Sequence, residues 1–232
     1  MKTLRRILII CPFPKGVAAG QRLKYEQYFN HWRENGFEIT VSSFMDLPMW
    51  KVVYTRGNYT AKILGTLRGC LCRVVDIFRI RRFDLVYVFM WVTPLGTSFF
   101  ERLFRLLSRR LIYDIEDNVI MEKSNNINPF VRLFKSSQKT IFPIKTADHV
   151  ITSSPFLNDY TLGLNRKKAC TYISSTVDTD CFLPVNLYRN DRKVIIGWTG
   201  TFSSKVYIDL LKKVFYELSK RCEFGLRVIG NF

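Results

Sequence analysis

The chain has 232 residues, 47% hydrophobic, 15% aromatic and 24% charged, a balance that supports a packed core and excludes an intrinsically disordered chain. Its formal net charge of +17 suits an anionic partner or surface, and no apolar run approaches the ~18 residues of a membrane span. Six scattered cysteines without a CxxC pair, and two histidines far from any cysteine pair, argue against a zinc site and a disulfide framework. The cysteines read as reduced, buried and structural, which points to the cytosol.

Strands and helices alternate along the chain. The opening "MKTLRRILIICPFPKG" imitates a secretory leader, but its apolar stretch is only about seven residues and Pro12 and Pro14 follow at once. A first core strand is expected there. "QRLKYEQYFNHWRENG" follows as one amphipathic helix, with Leu23, Phe29 and Trp32 among its apolar positions and Gly36 just past its end. "FEITVSSF" is the next strand, and a basic helical region covers roughly 59–82. "FDLVYVFM" is a strand, and "TPLGTSFFERLFRLLSRR" reads as a helix with Thr93 as N-cap and Pro94 at its first position. "LIYDI" is a strand running into the acidic turn "EDN". "NPFVRLFKSSQKTIFPIKTA" reads as a helix bent near Pro143. "DHVITSS", "PFLNDYTLGL" and "KACTYIS" follow as strand, helix and strand. "STVDTDCFLPVNLYRND" lacks periodicity and reads as a linker, after which "KVIIGWTG", "SSKVYIDLLKKVFYELSKR" and "FGLRVIG" form strand, helix, strand. Such alternation predicts an α/β fold, a Rossmann-like parallel sheet with helices on both faces, whose ligands gather beyond the C-terminal strand ends.

The charge is unevenly placed. Residues 51–110 hold twelve Lys or Arg against Asp76, Asp84 and Glu101, a net of +9. In "RGCLCRVVDIFRIRRF" and "ERLFRLLSRRL" arginine alternates with large apolar residues at helical spacing. These segments are either core-facing helices with solvated basic faces, or a surface that leans on anionic phospholipid or holds a polyanion; both can hold at once. Nucleic acid would also suit the charge, but the chain carries no zinc finger, no GxxG clamp and no aromatic RNA-binding signature, so no nucleic-acid partner is expected.

Three strand-end turns are candidates for chemistry. In "PFPKGVAAGQR", Gly16 and Gly20 let a ligand approach the backbone, the next helix aims free N–H groups at it, and Arg22 lies in the first turn. The pattern is neither G-x-G-x-x-G nor a P-loop, and the same glycines would serve an ordinary loop. In "YDIEDN", Asp114, Glu116 and Asp117 crowd a strand end. Asp114 is read as neutralising nearby arginines, whereas Asp117, beyond the strand, is the candidate base or sugar-hydroxyl acceptor. In "GWTGTFSSK", Gly200, a serine cap and Lys205 suit a pyrophosphate.

Taken in order, these stretches resemble the GT-B glycosyltransferases of the family 4 type. "LRRILIICPFPKGVAAGQRLKYEQYFNHWRENGFEITVSS" is similar to that family's opening strand, glycine loop and second strand. "LIYDIEDNVI" is similar to a "vyDieD" stretch, and "ADHVITSSPFLNDY" to the segment closing the N-terminal domain. "STVDTDCFLP" resembles the interdomain "GVDtxxFxP", with Asp178, Phe182 and Pro184 at the family spacing and Thr176 where glycine is usual. "IIGWTGTFSSKVYIDLL" resembles the start of the C-terminal domain, with Thr201 where arginine is usual.

The resemblance implies an N-terminal Rossmann-like, acceptor-side domain at 1–175, a linker at 176–192, and at 193–232 the start of a nucleotide-sugar-binding domain, incomplete here. It implies sugar transfer from a nucleotide-sugar to a lipid-linked or polysaccharide acceptor in cell-surface glycan assembly, with no metal and no other cofactor. Gly200, Thr201 and Lys205 would hold the diphosphate; Gly16, Gly20 and Arg22 would face it from the acceptor side, and Asp117 would stand near sugar or acceptor. The family's Glu-x7-Glu pair belongs to the missing part; the Glu26 and Glu34 pair at that spacing lies on the first helix and is read as coincidence. Whether this chain is itself an enzyme is therefore left open. The alternative is a non-catalytic basic module binding anionic membrane or acidic polymer. The expected location is cytoplasmic, peripheral on the inner membrane face, and the unpartnered apolar face of "KVFYEL" is an expected route to self-association.

Overall fold

The computed structural model of the protein describes residues 5–94, 96–116, 138–183, 194–200 and 205–230. The chain divides into two compact units, Met1–Phe182 and Leu183–Phe232. In the first, six strands form one parallel sheet: β1 (Arg5–Cys11), β2 (Phe37–Ser43), β3 (Leu85–Phe89), β4 (Leu111–Ile115), β5 (His149–Thr152) and β6 (Cys170–Tyr172), in the order β2-β1-β3-β4-β5-β6. The strands read as apolar runs because both faces are covered. Leu8, Ile10, Val86, Val88, Leu111, Tyr113 and Ile115 enter one core with Ile80, Phe104, Ile144 and Leu157. The alternate residues Ile7, Ile9, Cys11, Tyr87 and Phe89 enter a second core with Tyr25 and Phe29. The result is the helix–sheet–helix α/β sandwich expected from the alternation. Strand order reverses at β1 and β3, and in open α/β sheets the crevice outside the carboxyl ends at that switch point is where ligands bind.

The helices depart from expectation in three places. The segment after β1 is not one helix but α1 (Ala19–Lys24), a 3-10 turn at Glu26–Tyr28 and α2 (Phe29–Glu34). The break falls at Tyr25 (φ −144°), whose ring drops between Tyr87 and Phe89 at centroid distances of 5.4 and 5.3 Å. Gly36, at φ +84°, ends α2 as its position predicted. A short helix α3 (Leu47–Val53) was missed, although Asp46 accepts from the Met49 N–H at 2.9 Å and Pro48 lies in the first turn, both start signals. The helix expected from Thr93 starts instead at Phe99: α5 is Phe99–Leu107, with Ser98 rather than Thr93 at its N-cap. Thr93 is buried four residues past β3, its carbonyl accepting from Lys139 Nζ and its Oγ1 making no hydrogen bond, so it caps no helix.

The basic region predicted at 59–82 is α4 (Tyr59–Arg79) with a 3-10 extension to Arg82. The remaining helices of the unit are α6 (Gln138–Thr146), which carries Pro143, and α7 (Pro155–Leu164), capped by Ser154 Oγ accepting from the Leu157 N–H at 3.2 Å. The inner face of α4 approaches its neighbours closely at two glycines, but only one of them meets backbone. A Cβ on Gly69 would lie 2.7 Å from both the Phe44 ring and the Phe44 carbonyl oxygen. One on Gly65 would meet only the flexible Met49 side chain, at 2.8 Å. Gly69→Ala is expected to destabilise by about 1–3 kcal/mol from overpacking, despite up to ~1 kcal/mol gained in helix propensity. Gly65→Ala should come out near neutral, because Met49 can rotate away. Urea-unfolding midpoints of the two variants check the contrast.

The cysteines are free thiols. Cys11 is buried, Cys70, Cys72 and Cys170 are half-buried, and Cys181 and Cys222 are exposed, so the expectation of burial fails for the last two. The second unit has β7 (Val194–Gly200) and β8 (Phe224–Gly230) as a parallel pair, with the expected single helix split at Leu211 into α8 (Lys205–Leu210) and α9 (Lys212–Ser219). Val206, Tyr207, Val214, Tyr216, Val228 and Ile229 are exposed on it.

Candidate functional site

The turn after β1 is held in place from below. Buried Gln21 clamps Phe13 from both sides, its Oε1 accepting from the Phe13 N–H at 3.0 Å and its Nε2 donating to the Phe13 carbonyl at 3.1 Å. The same Nε2 donates to Glu26 Oε1 at 3.2 Å, and Glu26 Oε2 accepts from the Gly16 N–H at 2.8 Å. Gly16 needs its φ of +78° for that turn and has open space around it. Glu26 thus braces the loop, whereas Glu34 is exposed on α2, which fits reading their spacing as chance.

Gly20 is glycine for a specific reason. A Cβ there would lie 2.5 Å from Glu116 Oε2, so the carboxylate after β4 occupies the space over the start of α1. Ser153 Oγ donates to the Glu116 carbonyl, fixing that strand end to the turn after β5. One helical turn on, Lys24 is buried, with Nζ 3.5 Å from Asp114 Oδ1 and donating to the carbonyls of Thr152 (3.5 Å) and Ile173. Tyr87 Oη donates to Asp114 Oδ2. The reading of Asp114 as an arginine partner is corrected: its cation is Lys24, from the helix rather than from the basic segment. Burial pushes the Asp114 carboxyl from 3.8 up to about 6, against the pull of Lys24 and the Tyr87 hydroxyl and helped by the negative charge of Glu116. Gly16, Gly20, Lys24, Asp114, Glu116 and Ser153 therefore converge at the carboxyl ends of β1, β4 and β5. Arg22 is exposed on α1, its N–H donating to the Ala18 carbonyl at 3.1 Å. Asp117 lies outside the described residues.

A second cluster sits past β3. Met90 takes φ +61°, unusual for a side-chain-bearing residue, and Tyr113 Oη donates to its carbonyl at 2.7 Å. Beyond it, Glu101 is buried 3.8 Å from Lys139 Nζ, which lies 5.9 Å from the centre of the Trp91 ring. Burial raises the Glu101 carboxyl and lowers the Lys139 ammonium. Sequence reasoning missed Gln21, Lys24 and Glu101: each is a polar residue on a helix whose partner, the Phe13 backbone, the end of β4 or Lys139 on α6, is fixed only by the fold. In the second unit Gly200 ends β7 opposite Gly230, Lys205 is the first residue of α8, and Thr201 lies outside the described residues. Among the described residues no group of three or more His, Cys, Asp or Glu could hold a metal ion, and no helix is long and apolar enough to cross a membrane.

No protein-family model and no curated protein sequence matches the chain. Among solved structures the chain is similar to sucrose-phosphate synthase from Thermosynechococcus elongatus, with a TM-score of 0.62 at 12% identity over 98% of this chain and 71% of that one. At this identity the likeness shows the fold: a six-stranded parallel sheet flanked by helices, of the Rossmann-like kind found in GT-B glycosyltransferases.

Proposed function

We propose that the chain is a glycosyltransferase polypeptide that moves a sugar from a nucleotide-sugar to a lipid-linked or polysaccharide acceptor in cell-surface glycan assembly, at the cytoplasmic side of a membrane. The observation that carries this is the convergence of a braced glycine turn and carboxylates at the carboxyl ends of β1 and β4, beside the strand-order reversal where such sheets bind ligands, in a fold shared with a sucrose-phosphate synthase. Its first unit would receive the acceptor, with Arg22 as the solvent-facing cation of the glycine turn and Asp117 beside the sugar or acceptor. In the second unit Gly200, Thr201 and Lys205 would hold the diphosphate. Sugar leaves its nucleoside diphosphate as positive charge grows on the anomeric carbon, and N–H groups and cations stabilise the departing diphosphate without a metal.

The test is transfer of labelled sugar from a panel of nucleotide-sugars into membrane lipid extract, by this chain and by the chain joined to a complete nucleotide-binding domain. Transfer from one donor is the expected result; none from either protein overturns the reading. Because Arg22 is exposed, Arg22→Ala should fold normally and lower kcat/KM by roughly tenfold or more, the weight of one charge contact of about 1.4 kcal/mol.

A further inference from the structure

The outward face of α4 is apolar along its whole length. Ile63, Leu64, Leu67, Leu71, Val74, Val75 and Phe78 are all exposed, Phe78 at 84%. They recur every three or four residues, so within a helix of 21 residues they form one stripe about 23 Å long. The opposite face is the one that packs: Gly65 and Gly69 meet Met49 and Phe44, while Arg73 and Asp76 are buried against the sheet. Core packing therefore accounts for the inner face and leaves the stripe with no partner among the described residues of its unit.

Charge decides what covers it. Between Leu47 and Arg82 the chain has eight Lys or Arg and a single acid, Asp76. Asp76 is buried and held by Arg73 at 3.1 Å and Arg79 at 2.6 Å. The exposed charges that frame the stripe are Lys51 and Arg56 near its start, Arg68 beside it, and Arg81 and Arg82 past its end. Asp46, just before this stretch, engages Arg68 at 3.1 Å. We propose that α4 docks in the plane of an anionic phospholipid bilayer, the Ile63–Phe78 stripe entering the acyl boundary while Lys51, Arg56, Arg81 and Arg82 meet the headgroups. A second copy of this chain fits worse. Parallel pairing of two stripes sets Arg81 and Arg82 against themselves, and antiparallel pairing sets them against Lys51 and Arg56, with no exposed acid from this stretch to compensate. A bilayer supplies both the apolar layer and the opposite charge. The inference is independent of glycosyl transfer.

Flotation of the full chain with vesicles tests it. Binding is expected to equal mixtures of phosphatidylcholine and phosphatidylglycerol, to be weak on phosphatidylcholine alone, and to fall as salt is added. Arg81→Gln with Arg82→Gln should weaken binding roughly thirtyfold, at about fivefold per cation. Leu71→Asp with Phe78→Asp, both at exposed positions, should abolish it while leaving the circular dichroism spectrum unchanged. No binding to the anionic vesicles at low salt overturns the proposal. So does anionic binding that ignores the Leu71/Phe78 substitutions, which would place the contact elsewhere, or a dimer in sedimentation that those substitutions dissolve, which would assign the stripe to a second copy.

Discussion

Arg73→Met is expected to cost about 3–5 kcal/mol of folding stability, the range for stripping one partner from a buried charge network. Domains of this kind have only about 5–15 kcal/mol to lose. The guanidinium is fully buried on α4 and ties together three parts of the first unit. Its Nε donates to the Val92 carbonyl at 2.6 Å, Nη1 to the Ser42 carbonyl at 3.1 Å and Nη2 to the Cys11 carbonyl at 2.9 Å. It also meets Asp76 Oδ2 at 3.1 Å. Desolvation lowers its pKa, and Asp76 opposes that shift.

Two accounts of the loss differ in what a second substitution does. If the ion pair were the main term, replacing both charges, as in Arg73→Met with Asp76→Leu, would recover most of the stability. Asp76, however, keeps Arg79 at 2.6 Å and Ser42 Oγ at 2.6 Å when Arg73 is gone, so it is not stranded. The carbonyls at the ends of β1 and β2 and after β3 are what lose a charged donor, the Cys11 carbonyl keeping the Phe44 N–H at 2.9 Å. The double variant should therefore be no more stable than the single one in urea unfolding followed by tryptophan fluorescence. Recovery to within about 1 kcal/mol of the parent would show that the carbonyl contacts contribute little.

Arg73 also marks the limit of what could be read from the sequence. The sheet was legible because strands covered on both faces leave short apolar runs such as Ile7–Cys11 and Leu85–Phe89, bounded by turn residues and alternating with helical segments. Gly36 and the Ser154–Pro155 start were legible because turn and cap chemistry is local. What failed was long-range. Tyr25 breaks the first helix by reaching across to β3, and Lys139, 46 residues away, claims the Thr93 carbonyl and displaces the start of α5. The basic residues of 51–110 read as solvated faces of core-facing helices or as an anion-binding surface, and neither reading foresaw a buried arginine: Arg73 is sealed inside while Arg81 and Arg82 are exposed. Helical spacing alone does not say which side of an Arg-and-Leu helix faces the sheet when both sides are apolar. At the candidate site Gly20 was found as a glycine, but its reason, the Glu116 carboxylate, comes from a strand nearly a hundred residues later.

The second large effect belongs to Lys24, and pH reveals it. Asp114 is the polar residue within β4 and faces the same side as Tyr25 and Tyr87. Its folded pKa, about 6, already stands above the ordinary 3.8. Stability contributed by the protonated carboxyl is thus fully present below about pH 3.8 and is lost as pH rises through about 6. Lys24 is what keeps that rise from going further. Lys24→Met removes the ammonium and leaves the Thr152 and Ile173 carbonyls without it, a loss of about 1–2 kcal/mol at any pH. At about pH 4 little more is lost, because Asp114 is protonated in the folded variant. At about pH 7 the carboxyl must be either charged and unpaired or protonated against the solution, bringing the total to about 3–5 kcal/mol. Two other groups face Asp114. The Tyr87 hydroxyl stays neutral, its own pKa driven well up by burial, and Glu116 adds negative charge that acts in the same direction as the loss of Lys24. Adding Asp114→Asn to Lys24→Met should therefore make the loss equal at both pH values in paired urea titrations, whereas adding Glu116→Gln should only shrink the difference. A Lys24→Met loss as large at low pH as at neutral pH would mean that Lys24 acts through the two carbonyls alone, and that the buried carboxyl beneath the Gly20 turn does not depend on it.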